Sequence, residues 1–129
     1  MNNPEFIRSR WFEDIPVGEF HVFGSHSFTE KEIIEFGKKY SPEVFHTSPE
    51  AAFDSEYRGL VAAELHLAAI WMKLMVAYME RFATGVQDGR RNGAGVSVRD
   101  MQWFKPVRPG HTITFTYQIC EKLDRRVRD

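Results

Sequence analysis

The segment Leu60–Phe82 (LVAAELHLAAIWMKLMVAYMERF) is apolar at most of its positions and constrains the fold more than any other part of the chain. A surface helix has one apolar stripe and a polar face, so a helix that is apolar around most of its circumference must be covered on most sides. The most apolar run within it, Leu65–Met79, is interrupted by His66 and Lys73 and is short for a bilayer span of about 20 residues. The segment therefore predicts a central helix in a folded core, about 34 Å long at 1.5 Å per residue.

The bulk composition places this helix in a single domain, residues 1–129. The chain is 43% hydrophobic and 14% aromatic, which suits one domain with a packed core. Its 17 basic and 18 acidic residues nearly cancel, so there is no electrostatic argument for binding nucleic acid or an anionic membrane. A single cysteine excludes an internal disulfide, and the first residues lack the apolar core of a signal peptide. We therefore expect a cytoplasmic protein.

Local signals predict a strand, a helix and a short helix before the central helix. Phe20–Phe28 is rich in aromatic residues with partial alternation, which favours a strand. Thr29–Glu32 has the form of a capping box, which starts a helix that must end before Pro42. Ser48–Glu50 provides a cap, a proline at the first helical position and an acid in the first turn, so a second helix begins there. His46 is then expected in the connection between these two helices.

The segments after the central helix predict a glycine-rich loop and two strands. Gly85–Gly95 is the loop, and Val96–Phe104 is expected to be a strand. Pro109–Gly110 fits a tight turn, and residues 111–119 then alternate strictly between apolar and polar side chains. One long helix with antiparallel strands predicts an α+β fold in which a curved sheet wraps the helix. Three strands are few for so long a helix, so further chain or a partner subunit is expected to complete its burial.

Four segments, in this order and spacing, carry a resemblance to a known family: FEDIPVGE, FTEKEIIEFGKKYSPEVFHTSPEAA, GLVAAELHLAAIWMKLM and WFKPVRPGHTITF. They resemble MaoC-like hydratases and dehydratases of the hotdog fold, relatives of the (R)-specific enoyl-CoA hydratases. The likeness covers roughly Trp11–Glu121. It implies a sheet wrapped around the central helix, dimerisation, and coenzyme A thioesters as substrates, with no metal or redox cofactor. It also implies two closing strands after the present tail, so the chain is expected to be short at its C terminus.

The resemblance assigns His46 and Ser41 to a catalytic loop. In the family this loop carries an aspartate, four intervening residues and a histidine, and the pair shares one water. One member of the pair acts as base and the other delivers a proton, which is the arrangement that general acid–base catalysis requires. His46 matches the histidine, whereas Ser41 takes the place of the aspartate. A serine hydroxyl can hold a water by hydrogen bonding but cannot act as a base near neutral pH.

The resemblance also assigns the start of the central helix to substrate binding. Family helices open with a glycine whose backbone amide holds the thioester oxygen as it becomes an enolate. Ala63 and Glu64 stand at these positions, so an amide is kept at a helix amino end that favours an anion. The Glu64 carboxylate, in contrast, would oppose the enolate. Gly59 and Phe45 are expected to complete the substrate site.

Three functions are compatible with these residues. The first is a hydratase/dehydratase that adds water reversibly to a 2-enoyl-CoA. The second is a non-catalytic acyl-CoA-binding subunit of a heteromeric hotdog pair, and the third is an acyl-CoA thioesterase in which Glu64 activates water. The hypothesis that joins the sites is that His46 and Glu64 face one cavity. The histidines His21, His26 and His111 show no metal-ligand spacing, so no metal site is expected.

Overall fold

The computed structural model describes residues 12–83 and 97–123 of the chain. The elements in order are a 3₁₀ helix (Phe12–Asp14), β1 (Phe20–Ser27), α1 (Glu30–Tyr40), α2 (Val44–Thr47), α3 (Pro49–Phe53), α4 (Glu64–Ala83) and β2 (Thr112–Gln118). The described strands form one antiparallel pair. The loop predicted at Gly85–Gly95 lies outside the described residues.

β1 and β2 confirm the two strands predicted from alternation on either side of the central helix. They pair from Phe20 opposite Gln118 to Ser27 opposite Thr112. Phe115 is buried at the middle of β2, whereas the threonines of that strand are exposed. The turn predicted at Pro109–Gly110 is also present; Gly110 has a φ of +87°, and its N–H donates to the Phe28 carbonyl at 2.7 Å.

A β-bulge divides β1 at Phe23. Val22 lies opposite Thr116 and Gly24 lies opposite Phe115, so Phe23 is an extra residue in the ladder. Gly24, directly after it, has a φ of +131°, which a residue with a side chain would rarely adopt. Before the bulge His21 and Phe23 are buried, and after it the alternate residues Gly24 and His26 are the partly buried ones.

Helix α1 begins with the predicted capping box. The Thr29 hydroxyl accepts a hydrogen bond from the Glu32 N–H, and the Glu32 carboxylate accepts one from the Thr29 N–H. Glu32 also accepts from Nε2 of His26 at 2.8 Å, which ties the helix to β1. Ile33 and Gly37 form the buried side of the helix. The start of α1 is therefore determined by its own sequence and by one contact with the sheet.

The central helix α4 begins at Glu64, so the predicted start at Leu60 is wrong by four residues. The apolar residues Leu60–Ala63 are buried but lie ahead of the helix. They are held by other segments: the Val61 N–H donates to the Phe45 carbonyl at 2.9 Å, and the Ala62 N–H donates to the Val107 carbonyl at 2.8 Å. These bonds tie Val61 and Ala62 to segments outside the helix, which begins after Ala63.

A buried polar chain holds the second half of α4 on the sheet. His21 is 2% exposed; its Nε2 lies 3.1 Å from a carboxylate oxygen of Glu19, and its Nδ1 lies 2.8 Å from the Tyr78 hydroxyl. Tyr117 stacks on the imidazole at 5.4 Å. Buried polar groups cost free energy unless they are hydrogen-bonded. The hydrogen bond between His21 Nδ1 and Tyr78 therefore fixes the position of the helix on the sheet, whereas Nε2 lies near Glu19 without a hydrogen bond within the described residues.

The core lies between the first half of α4, α1 and the sheet. Its buried members are Phe28, Ile33, Ala52, Leu60, Ala62, Ile70, Val107 and Phe115. The opposite face of α4 exposes Leu65, Met72 and Val76. The coverage expected on most sides of this helix is therefore not met within the described residues.

The third predicted strand, Val96–Phe104, is wrong for the residues that the structure describes there. Residues 97–104 form no strand, and Asp100 has a φ of +54°, outside the extended range. A strand needs a partner as well as a favourable sequence, and no described segment pairs with this one. The sheet in the described part of the chain consequently has two strands rather than three.

Candidate functional site

His46 lies on the one-turn helix α2 rather than in an irregular connection. Glu43 precedes this helix, and its carbonyl accepts from the His46 N–H at 2.9 Å and from the Thr47 hydroxyl at 3.1 Å. Gly37 of α1 packs directly on the histidine: a Cβ at Gly37 would lie 2.5 Å from the His46 carbonyl oxygen. His46 is 1% exposed, so its backbone is enclosed between α1 and the segment that leads into α4.

The hydrogen bonding of His46 defines its tautomer. Nδ1 lies 2.7 Å from the Val61 carbonyl oxygen, and because a carbonyl can only accept, Nδ1 carries the proton. The neutral ring therefore keeps its lone pair on Nε2. This buried Nε2 has no hydrogen-bond partner among the described residues. A buried acceptor without a partner is costly, so this nitrogen is suited to receive a proton or a hydrogen bond from water or a ligand.

Ser41 caps the end of α1, and its side chain contacts Glu43. Its N–H donates to the Gly37 carbonyl at 2.9 Å, and its hydroxyl donates to a carboxylate oxygen of Glu43 at 3.4 Å. Sequence reasoning missed Glu43, an exposed acid two residues after Ser41. The signal was available, because Ser41 and Glu43 flank Pro42 in a segment already singled out for chemistry.

A groove of about 210 Å³ lies at the amino end of α4. It is lined by Tyr57, Val61, Ala62, Glu64, Leu67, Trp103, Phe104, Lys105, Pro106 and Val107. Its walls are mostly apolar, with one carboxylate and one ammonium group at their surface. Of the candidate residues, Glu64 lines the groove, whereas His46, Ser41, Ala63, Gly59 and Phe45 do not. The shared cavity of His46 and Glu64 therefore stays a prediction.

The backbone around Ala63 leaves donors free at the start of α4. The Ala63 carbonyl accepts from the N–H groups of His66 and Leu67, at 3.0 and 3.4 Å. The N–H groups of Ala63, Glu64 and Leu65 make no backbone hydrogen bond within the described residues. Unpaired amides at a helix amino end favour negative charge. Ala63 itself is 2% exposed, so its side chain packs in the core beside these donors.

Phe45 and Gly59 support the groove from behind its wall. Phe45 packs edge-on against Tyr57, with ring centroids 5.0 Å apart, and Tyr57 lines the groove. Arg108 donates from Nη2 to the Tyr57 carbonyl at 2.6 Å, and a Cβ at Gly59 would lie 3.1 Å from its Nη1. Phe45 contacts Tyr57 directly, and Gly59 leaves room for the Arg108 side chain that binds the Tyr57 carbonyl, so both residues help to hold Tyr57 in place.

His66 packs between aromatic rings at the start of α4. It is 5% exposed, stacks on Phe36 at 4.5 Å and meets Phe28 edge-on at 5.1 Å. Burial lowers the pKa of His66 below its ordinary value of 6.5; the Glu32 carboxylate opposes this change, and His26 adds to it. The folded protein therefore holds His66 in its neutral form.

This lowered pKa gives a pH dependence with a definite sign. Below pH 6.5 the unfolded chain binds a proton at His66 before the folded chain does, so stability is expected to fall as the pH drops from 6.5 toward the folded-state pKa. Urea unfolding of the wild type at pH 7.5 and pH 5.5 measures the loss. His66→Phe keeps an aromatic ring and removes the titrating group, so its loss over this interval should be smaller. An equal loss in both proteins would show that His66 does not contribute.

The described residues contain neither a metal-binding cluster nor a membrane-spanning helix. Residues 12–83 and 97–123 contain no group of three or more His, Cys, Asp or Glu side chains close enough to hold a metal ion. No helix in these ranges is long and apolar enough to cross a membrane.

Comparison with known proteins supports the predicted resemblance. No protein-family model and no curated protein matches the chain. Among solved structures, a MaoC-like dehydratase from Rhodospirillum rubrum is 29% identical over 84% of this chain and 68% of its own, with a TM-score of 0.63. A monoamine oxidase regulatory protein from Archaeoglobus fulgius shares the fold, with a TM-score of 0.75 at 22% identity over 91% of this chain and 74% of its own. These findings confirm the predicted α+β hotdog fold and the predicted resemblance to MaoC-like hotdog proteins.

Proposed function

We propose that the chain is an acyl-CoA hydratase/dehydratase that adds water reversibly to the double bond of a 2-enoyl-CoA, with His46 as its acid–base residue. The observation that carries the proposal is the unpartnered Nε2 of His46, whose lone pair is left free by the bond from Nδ1 to the Val61 carbonyl. The likeness to a MaoC-like dehydratase supports the reaction class. The groove and the free amides at the start of α4 support a thioester ligand.

The chemistry follows from these groups. In hydration, Nε2 takes a proton from water while the water oxygen bonds to the β-carbon. The π electrons move toward the thioester carbonyl, whose oxygen becomes an enolate stabilised by the backbone amide of Ala63. The α-carbon then takes a proton and the thioester is restored. Because Ser41 has no usable acidity near neutral pH, protonated His46 is the donor for this second transfer as well.

The test is an assay of the purified protein with crotonyl-CoA and, separately, with a saturated acyl-CoA. Loss of the crotonyl double bond supports the proposed hydratase. Thiol release from the saturated substrate would support the thioesterase instead. Ligand binding without turnover of either substrate would overturn the catalytic proposal and support the non-catalytic acyl-CoA-binding subunit, which completes a hotdog pair with another chain.

One observation favours the thioesterase as a second candidate: Glu64 presents a carboxylate to the groove. In that reaction Glu64 would take a proton from water as the water attacks the thioester carbonyl, and the coenzyme A thiolate would leave. Glu64→Gln keeps the shape of the side chain and removes the base. Thiol release should then fall, whereas a hydratase that depends on His46 should be as fast or faster, because a charge that opposes the enolate has been removed.

Ser41→Asp should raise hydratase activity at least tenfold if the absent aspartate is the main defect, since a positioned acid–base group contributes about 10²–10⁴. The measurement is kcat/KM with crotonyl-CoA. Ser48→Asp is the matched control: Ser48 caps α3 through the Ala51 N–H, and aspartate caps as well as serine does. A rise in the control, or no rise in Ser41→Asp, would contradict the assignment of Ser41 to the catalytic position.

A further inference from the structure

Three aromatic residues line the groove at the amino end of α4, and they come from segments that are distant in sequence. Tyr57 lies between α3 and α4, whereas Trp103 and Phe104 precede β2. Trp103 is 43% exposed and Phe104 is 86% exposed, so much of their surface is open. Apolar surface that stays open at a groove marks a place where a ligand binds. We call Tyr57, Trp103 and Phe104 the aromatic wall.

Hydrogen bonds tie the aromatic wall to the start of α4. The Ala62 N–H donates to the Val107 carbonyl at 2.8 Å, which joins the segment before β2 to the segment that leads into α4. Arg108, the next residue, donates from Nη2 to the Tyr57 carbonyl at 2.6 Å. The two sides of the groove are therefore held together by contacts within the chain, and the groove is formed before a ligand binds.

Glu64 presents a negative charge beside the aromatic wall. It lines the same groove, and its side chain makes no hydrogen bond or ion pair within the described residues. The amino end of a helix accounts for an acid in the first turn, but it does not account for three aromatic residues beside that acid. The faces of aromatic rings carry negative potential and attract cations. A carboxylate and aromatic rings along one groove are thus complementary to a positive charge.

We propose that this groove binds a cationic acyl group, so that the preferred substrate is a 2-enoyl-CoA whose acyl chain carries a quaternary ammonium group. The inference rests on the proposed function for the thioester and adds the charge of the acyl chain. A quaternary ammonium suits the groove better than a primary one, because its methyl groups pack on apolar walls whereas a primary ammonium is strongly hydrated. The aromatic wall contacts the methyl groups, and Glu64 neutralises the charge.

A cationic acyl group also removes the conflict that Glu64 creates at the amino end of α4. In the proposed reaction the backbone amide of Ala63 stabilises the enolate oxygen, and a carboxylate on the next residue opposes that negative charge. A neutral acyl group leaves this opposition in place. A cation bound against Glu64 offsets it, so the same residue then favours one class of substrate instead of opposing all of them.

Lys105 is the basic residue that lines the groove, and its charge acts against a bound cation. It is exposed, and its ammonium makes no ion pair within the described residues. A strongly hydrated ammonium on a flexible four-carbon stem can remain in water, whereas Glu64 has a shorter side chain at the first residue of a helix. Lys105→Gln should therefore tighten the binding of a cationic ligand, and Glu64→Gln should weaken it.

Isothermal titration calorimetry with two saturated thioesters tests the proposal without any hydration step. One probe is γ-trimethylammonio-butyryl-CoA, and the other is its neutral isostere, in which a carbon atom replaces the charged nitrogen. The wild type should bind the cationic probe at least about tenfold more tightly, as expected for a cation on aromatic rings beside a carboxylate. Equal affinity for the two probes, tighter binding of the neutral probe, or binding of neither at millimolar concentration would overturn the proposal.

Three variants assign the preference to the groove. Glu64→Gln keeps the shape of the side chain and should weaken the cationic probe about fivefold, with little change for the neutral one. Trp103→Leu should also weaken the cationic probe about fivefold relative to the neutral one. Glu80→Gln is the matched control, because Glu80 is an exposed acid of the same helix outside the groove, and it should change neither affinity. A preference that survives both Glu64→Gln and Trp103→Leu would place the cation elsewhere and contradict the proposal.

The possible results separate this inference from the proposed function. A protein that hydrates crotonyl-CoA but binds the two probes equally is a hydratase without a cation site. A protein that prefers the cationic probe but hydrates neither crotonyl-CoA nor its γ-trimethylammonio derivative has the cation site and is not a hydratase.

Discussion

The His46→Asn variant is expected to lose hydratase activity by a factor of about 10²–10⁴, the usual contribution of a positioned acid–base group. The asparagine amide nitrogen takes the position of Nδ1 and keeps an N–H that can donate to the Val61 carbonyl, so the contact that now holds Nδ1 at 2.7 Å can survive. What it cannot provide is a lone pair of histidine basicity at the position of Nε2. The loss should therefore appear in kcat with crotonyl-CoA rather than in the affinity for the substrate.

His111→Asn is the matched control for this change. His111 is an exposed histidine whose Nδ1 accepts from the Arg108 N–H at 3.2 Å, and the asparagine oxygen can accept in its place. Its activity should stay within about twofold of the wild type, as expected for surface changes. If His46→Asn retained more than a tenth of the wild-type activity at an unchanged melting temperature, His46 would not be the acid–base residue.

Gly37→Ala should lower the free energy of unfolding by about 1–3 kcal/mol, the cost of overpacking a filled site. The new Cβ would lie 2.5 Å from the His46 carbonyl oxygen and 2.9 Å from the His46 Cβ. Neither atom can rotate away, because one belongs to the backbone and the other is attached to it. Helix α1 would have to move away from α2, and this movement would displace His46. Hydratase activity should fall together with stability.

Helix propensity acts in the opposite direction and makes this test sharp. Alanine favours a helix over glycine by about 1 kcal/mol, so a Gly37→Ala variant without a clash would be more stable than the wild type. Urea unfolding followed by circular dichroism measures the sign directly. Lys38→Ala, an exposed change at the next position of the same helix, should stay within about 0.5 kcal/mol of the wild type. A Gly37→Ala variant more stable than the wild type would show that Gly37 is not in tight contact with His46.

The elements that could be predicted are those that local sequence determines. The capping box at Thr29 and Glu32 uses only residues within one helical turn, and the alternation of β2 reports which side chains face the core. Leu60–Ala63 could not be separated from α4 in this way, because their bonds to the Phe45 and Val107 carbonyls join segments that are distant in sequence. Apolar composition favours burial but does not distinguish a buried helix from a buried extended segment.

The candidate site shows the same limit. The resemblance pointed to His46. It did not show that the Val61 carbonyl binds Nδ1 and leaves the Nε2 lone pair free, or that Gly37 packs against this histidine. A glycine inside a helical pattern indicates that another segment approaches the helix closely, but it does not show which segment. The groove at Glu64 draws one wall from Trp103 and Phe104, about forty residues away in sequence, which no local pattern connects to the helix.

The extra residue at Phe23 determines which deletions β1 can tolerate. Val22 lies opposite Thr116 and Gly24 lies opposite Phe115, so a strand without Phe23 would still alternate regularly and keep His21 on the buried face beside Tyr78. Removing Phe23 would cost the packing of its ring but would leave the pairing of the two strands unchanged. Removing Val22 together with Phe23 would instead turn the preceding half of β1 over and expose His21, so a two-residue deletion there is more disruptive than a deletion of one residue.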